Sequence, residues 1–116
     1  MKNSSRELGD RDEQRIAQRF NGKVIAGSGS SAEKKGDVRI GRFLVQAKCT
    51  RAHSIGVKFK DLENIQDQAL NCRKLPAYFM TFYTGPDVIS EWVALPSWIL
   101  PLIGFSFDPD TQEKAE

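Results

Sequence analysis

The chain predicts a single α/β domain with a central mixed β-sheet flanked by helices, in two or three layers. Three observations predict it. Two stretches, residues 7–20 and 60–75, carry apolar residues at helical spacing; Gly41-Arg42 folds residues 36–48 into a β-hairpin; residues 77–95 hold a second extended pair, rich in β-branched and aromatic residues. With 116 residues the chain can bury one core of its own, yet is small enough that a partner subunit would help. A hydrophobic content of 40% beside 28% charged residues is ordinary for a soluble globular chain.

Residues 1–5 are polar and expected to be disordered. A helix follows from residue 7 or 10 to residue 20, with Glu13, Ile16, Ala17 and Phe20 at i, i+3, i+4 and i+7, the stripe that faces a core. A carboxylate at the end of such a stripe wants a cation or hydrogen-bond donors. Alternatively Asp10 is the N-cap with Glu13 at N3, an imitation of a capping box that also suits the helix dipole. Asn21-Gly22 ends the helix, and residues 23–26 make a short strand. Residues 27–31, Gly-Ser-Gly-Ser-Ser, offer backbone N–H groups and hydroxyls to a phosphate. They lack the Gly-Lys-Ser/Thr ending of a nucleotide P-loop, which excludes ATP binding of that kind, and a flexible loop is the plain alternative.

In the hairpin, Gly41 supplies the positive φ that a two-residue turn needs at its first central position. Alternation then puts Phe43, Val45 and Ala47 on one face and Leu44, Gln46 and Lys48 on the other. Asp37 begins the first arm, and the turn folds that arm back beside the second, so a carboxylate, an amide and an ammonium can converge. That trio suits metal-assisted phosphodiester hydrolysis. Residues 49–53 turn the chain, and residues 54–59 read as a further extended segment. The second helix, 60–75, buries Leu62, Ile65, Ala69 and Cys72 and leaves Lys60, Asp61, Glu63, Asn64, Asp67 and Arg73 largely outside, with Pro76 marking its end. Strands at 77–83 and 88–95 flank a Gly85-Pro86-Asp87 turn, residues 96–100 form a short helical turn, and Trp98, Leu102, Ile103 and Phe105 remain to be packed. No internal repeat is visible.

The net charge of +2 is uninformative, but its distribution is not: residues 33–60 hold eight basic side chains against two acidic ones. Clustered Lys and Arg around a candidate metal site point to a polyanionic substrate, because they release counterions from a phosphate backbone. Lys34, Lys35, Arg39, Arg51, Lys58 and Lys60 are the candidate phosphate contacts, a solvated charged surface being the bland alternative. Residues 108–116 look like an acidic, frayed tail. No charged segment followed by an apolar one opens the sequence, and the longest apolar stretch, 92–107, is broken by Pro96 and Pro101. Neither a signal peptide nor a membrane span is expected. Cys49 and Cys72 match no zinc spacing, so reduced thiols in a cytoplasmic protein are expected.

The order helix, three strands, helix, two strands, with Asp37 and Gln46-Ala47-Lys48, resembles the PD-(D/E)XK nuclease superfamily and its restriction-endonuclease-like core. Within it the likeness is to the small archaeal-type Holliday-junction resolvases, which have relatives in viruses; it covers about residues 6–95. That family has a helical glutamate four residues after a Gly, matched by Gly9 and Glu13, and a Ser-Gly-Ser loop before the acidic hairpin, matched by Ser28-Gly29-Ser30. A Glu-x-Lys ends its hairpin, where this chain has Gln46-Ala47-Lys48.

The resemblance implies a metal-dependent DNA endonuclease resolving four-way junctions in recombination and repair, in the cytoplasm or, for a viral relative, that of the host. It implies catalytic roles for Asp37, Gln46, Lys48, Glu13 and Ser28. Mg²⁺, with Mn²⁺ as a substitute, would be held by Asp37, Gln46, the Ala47 carbonyl and Glu13. Gln46 is a departure, since its amide brings no charge; Glu13 is the natural compensator, and Glu33 is a second candidate. The departure also admits a catalytically silent junction-binding module, and a repair or restriction-type nuclease acting on ordinary duplex is a further alternative. A two-fold homodimer is expected, because cutting two strands symmetrically needs two sites; its candidate surface is Trp92, Trp98, Ile99, Leu102 and Phe105.

Overall fold

The computed structural model describes residues 4–25 and 37–107. Helix α1 (Ser4–Arg19) leads into strands β1 (Lys23–Val24), β2 (Val38–Ile40) and β3 (Phe43–Thr50). Helix α2 (Phe59–Asn71) then precedes β4 (Leu75–Thr84), β5 (Asp87–Ala94) and a 3₁₀ helix, Ser97–Ile103. The five strands form one mixed sheet in chain order: β3 and β4 are parallel and every other neighbouring pair is antiparallel. The parallel pair needs a crossover, which α2 supplies.

Three layers result, and the alternation along β3 builds them. Val45, with Phe43 and Ala47, packs beside Val38, Ala77 and Phe79 under Ile16 and Ala17 of α1, while Leu44 and Tyr78 pack under Ile65 and Ala69 of α2. Both hairpins have two-residue turns with glycine first, Gly41 at φ +54° and Gly85 at φ +56°, which matches the right-handed twist of the strands they join.

Both α-helices stop in the same way. After α1, Asn21 takes a left-handed φ of 58° and the Gly22 N–H donates to the Ala17 carbonyl at 2.7 Å. After α2, Arg73 takes φ 62°, its N–H reaching the Leu70 carbonyl and that of Lys74 the Ala69 carbonyl. This is the Schellman arrangement, which satisfies carbonyls left open at a helix end. Gly22 also lies so close to β2 that a Cβ would sit 2.5 Å from the Arg39 carbonyl oxygen.

Several expectations are corrected. Helix α1 begins at Ser4, so Asp10 lies inside it and caps nothing. Its buried stripe is Leu8, Asp12, Ile16 and Ala17; Glu13 is only partly covered and Phe20 is exposed, touching Phe79 edge-on. Residues 54–58 form no strand: β3 extends to Thr50, and the Gly56 carbonyl is bonded to the Lys48 side chain rather than to a neighbouring strand. Helix α2 ends at Asn71, four residues early, leaving Cys72 exposed as its C-cap, and Leu62 is also exposed; Pro76 belongs to β4. Ile99 is fully buried and cannot belong to a docking surface, whereas Trp92, Trp98, Leu102 and Phe105 are exposed. Among the described residues no helix is long and apolar enough to cross a membrane.

Candidate active site

The β2–β3 hairpin positions the site. Val38 faces Val45 and Ile40 faces Phe43, which puts Asp37 one residue before the paired segment. Its main chain is pinned on both sides: the Asp37 N–H donates to the Val45 carbonyl at 2.7 Å, and its own carbonyl accepts from Ile25 N–H at 3.0 Å. The side chain is fully buried, and its Oδ2 accepts from Gln46 Nε2 at 2.8 Å and from the Ala47 N–H at 2.9 Å. A carboxylate away from water needs such donors. Asp37 and Gln46 are thereby brought into contact.

Gln46 and Lys48 project toward α2, where they line a groove of about 410 Å³ with Asp61, Asn64, Gln68 and Tyr78. The Tyr78 hydroxyl is raised above its ordinary pKa by burial and then by the charges of Asp61 and Asp37, which places it in the field of both carboxylates. Lys48 turns its Nζ to the Gly56 carbonyl, donating at 2.8 Å and tying down the segment between β3 and α2. Of the candidate phosphate contacts, Arg39, Arg51, Lys58 and Lys60 are exposed, and the Arg51 Nε donates to the Gly85 carbonyl at 3.0 Å. Arg39 lies opposite Leu44 and so belongs to the same sheet face as Gln46 and Lys48. Ser28, Glu33, Lys34 and Lys35, and the acidic tail, lie outside the described residues.

Glu13 is carried by the helix on the other side of the sheet. Its charge acts on Cys49, whose thiol is pushed up to about 11 by burial and then by the charges of Asp12 and Glu13. A larger polar cluster on that side escaped sequence reasoning. Asp12 is 1% exposed, and its Oδ1 accepts from the Tyr83 hydroxyl at 2.7 Å and from Arg15 Nη2 at 3.0 Å. Arg15 also reaches Thr81 and Glu91, and Glu91 pairs with Arg19. Burial pulls the Arg15 guanidinium down, but its hydrogen bonds to Asp12, Tyr83 and Glu91 outweigh that and leave it raised. The available signal was spacing, since Asp12 falls four residues after Leu8 and four before Ile16. The groove residues of α2 had one too: Asp61, Asn64 and Gln68 recur at i, i+3 and i+7.

Comparison with protein-family models, curated proteins and solved structures finds no match. The chemistry has to be read from the side chains. Among the described residues no three His, Cys, Asp or Glu side chains converge, so a site rich in carboxylates is not formed by them. The donor set at the hairpin is one buried carboxylate, one amide and one backbone carbonyl. A strand residue sends its N–H and C=O to the same edge, so the Ala47 carbonyl leaves β3 on the side of Asp37. Gln46 turns Nε2 toward Asp37, and a half-turn about its broad terminal torsion presents Oε1 instead. All three oxygens are hard ligands, and Mg²⁺ is commonly bound through one or two carboxylates with substrate phosphate and water completing the octahedron. The donor set is compatible in kind with such an ion.

Proposed function

We propose that this chain is a metal-dependent DNA endonuclease that hydrolyses phosphodiester bonds in branched DNA, four-way junctions above all. The observation that carries the proposal is the Asp37–Gln46 contact at 2.8 Å beside the polar groove that Lys48 also lines. Asp37, Gln46 and the Ala47 carbonyl would hold Mg²⁺ or Mn²⁺. Such an ion supplies a coordinated water of lowered pKa and neutralises charge on the scissile phosphate. Asp37 contributes the negative charge that draws the cation, and the Val45 and Ile25 main chains hold it in place. Lys48 uses one of its three N–H donors on Gly56 and keeps two for the nucleophile or a phosphate oxygen, where an ammonium stabilises developing charge. The exposed Arg39, Arg51, Lys58 and Lys60 would contact the backbone, each adding about −0.9 to the slope of log affinity against log salt.

The test is incubation of purified protein with labelled four-way junctions and linear duplex, with and without Mg²⁺. Asp37→Asn should abolish cleavage and leave binding intact or tighter, because a negative charge facing phosphate is removed. Lys48→Ala should slow cleavage far more than it weakens binding. Gln46→Glu should lower the Mg²⁺ concentration needed, and Glu13→Gln should raise it only if that carboxylate reaches the ion. A second reading, a junction-binding module without catalysis, is favoured by one observation: the uncharged Gln46 turns its Nε2 donor, not its oxygen, to Asp37 Oδ2. Tight junction binding with no cleavage at any Mg²⁺ concentration would establish it. Symmetric cutting further leads us to propose a homodimer through the exposed Trp92, Trp98, Leu102 and Phe105, for which monomeric mass by light scattering is the adverse result.

A further inference from the structure

The hairpin-turn end of the sheet gathers cations without acidic partners. Residues 20–24, 38–43 and 72–76 hold Lys23, Arg39, Arg42, Arg73 and Lys74 and no acid. The topology brings these segments together: Lys23 lies directly opposite Arg39, the Leu75 N–H donates to the Arg42 carbonyl at 2.8 Å, and Lys74 Nζ donates to the Gly41 carbonyl at 3.1 Å. Among the described residues every salt bridge involves Asp12 or Glu91, so none of the five cations has a carboxylate within ion-pair distance. Two of the placements also run against local preference. Like charges directly opposite on neighbouring strands repel, and Gly22, packed so close that a Cβ would meet the Arg39 carbonyl oxygen at 2.5 Å, holds the two main chains together there. Arg73 takes a left-handed φ of 62°, where glycine or asparagine is the unstrained choice, and its charge near the carbonyl end of α2 offsets only part of that. Cations gathered without acids, at positions that local structure would fill otherwise, point to a negative partner from outside.

We propose that this end of the sheet is a docking surface for the phosphate backbone of duplex DNA, separate from the Arg51 and Lys58 region beyond the other end of β3. The proposal rests on the endonuclease reading above and adds to it a second place where an arm of the substrate is held. From β1 to β4 is three strand spacings, about 14 Å. Duplex DNA presents about eight phosphate charges over that length. Lys23 and Arg39 share a sheet face with Leu44, and so with Gln46 and Lys48. Arg42 and Arg51 bracket β3, whose eight residues span about 26 Å, and Gln46 and Lys48 lie between them. Two docking surfaces with the candidate site between them suit a substrate that has two arms. The aromatic side chains of these segments serve the other layer: Phe20 meets Phe79 edge-on, and Phe43 packs with Val45 under α1. Without an aromatic platform beside Lys23 and Arg39, the surface suits backbone phosphates and not the stacked bases of a single strand.

The experiment measures binding of a linear duplex of about 12 base pairs by the full chain, between about 50 and 200 mM salt and without Mg²⁺. The matching single strand and phosphatidylserine vesicles are measured in parallel. Lys23→Glu sets an acid opposite Arg39 and so removes about two phosphate contacts. The slope of log affinity against log salt should then flatten by about 1.8, and affinity near 100 mM salt should fall about ten- to a hundredfold. The same change turns a repulsive cross-strand pair into an attractive one, so the urea midpoint should rise, which separates lost binding from a damaged fold. Arg42→Gln combined with Arg73→Asn, which keeps a residue tolerant of the left-handed φ, should weaken binding by a similar factor. In the parent, amide NMR signals of residues 23, 39–42 and 73–75 should shift on titration with the duplex. Affinity and slope unchanged in both variants, no shifts at those residues, equal affinity for the single strand, or binding of vesicles in preference to duplex each overturns the proposal, and Mg²⁺-dependent cleavage by the parent would still uphold the endonuclease reading. Absence of any DNA binding by the parent overturns both.

Discussion

Replacing Asp12 with alanine should cost about 3–5 kcal/mol of folding stability, the penalty for breaking a buried charge pair by removing one partner. The estimate follows from its contacts. Oδ1 holds the Tyr83 hydroxyl at 2.7 Å and the Arg15 guanidinium at 3.0 Å, and it joins α1 to β4. Two hydrogen bonds to a charged group are worth about 1.5–3 kcal/mol each. Part of that loss is returned, because the carboxylate no longer has to be desolvated and its other oxygen, Oδ2, has no hydrogen-bond partner among the described residues. Arg15 keeps Thr81 and Glu91, which limits the damage on its side, but the buried Tyr83 hydroxyl loses its acceptor. A domain of this size has a total stability of about 5–15 kcal/mol, so the variant should sit close to the edge of folding. Urea unfolding at neutral pH, followed by circular dichroism, measures the loss; Asp10→Ala, exposed on the same helix, should stay within about 0.5 kcal/mol of the parent. Asp12→Asn keeps the shape and should cost less, and a cycle with Tyr83→Phe should show a coupling of at least about 0.5 kcal/mol. If Asp12→Ala unfolds within about 1 kcal/mol of the parent, less than a single lost bond to a charged group, the cluster does not hold the helix to the sheet.

Alkaline pH probes the same cluster. The Tyr83 hydroxyl is pushed up to about 12 by burial and then by its hydrogen bond to Asp12. The folded protein therefore retains a proton that the unfolded chain releases near pH 10. The associated stability is complete below that point and declines as pH climbs toward 12, and Tyr83→Phe should remove that part of the decline. The Cys49 thiol, at about 11, should react with a thiol reagent at pH 8 at least about tenfold more slowly than exposed Cys72, as read by peptide mapping; equal rates would contradict its placement. Gly22→Ala drives a methyl to 2.5 Å from the Arg39 carbonyl and should cost about 1–3 kcal/mol in thermal or urea unfolding, with no loss meaning that β2 yields freely there.

The hairpin was legible because its signal is local. A glycine at the first turn position and period-two alternation determine which β3 side chains meet which helix, and the packing of Val45 under α1 and Leu44 under α2 follows that alternation. The phase of α1 was not. Glu13 and Asp12 are adjacent acids, and choosing between them required knowing that a buried acid would find Tyr83 and Arg15, partners 71 and 3 residues away. Likewise the end of α2 is hidden in sequence because Arg73, not a glycine, takes the left-handed position. Residues 54–58 hold Ile55 and Val57 yet join no strand of the sheet, and which segments pair is a property of the whole sheet. At the site, the closeness of Asp37 and Gln46 could be read from the turn. The contribution of α2 could not, since a polar helix stripe reads as a solvent face until a strand is seen lying beside it.

The hydrogen bond from Lys48 to Gly56 gives one side chain two employers. If the proposed phosphate contact forms, an ammonium that swings fully onto it would release the main chain at Gly56, between the two exposed cations Arg51 and Lys58. On that proposed reading, phosphate binding and loosening of the stretch would be a single event. Truncating Lys48 therefore does two things at once, deleting a charge and slackening a stretch of main chain, and a loss of activity in Lys48→Ala belongs to chemistry only when amide exchange at residues 51–58 is unchanged.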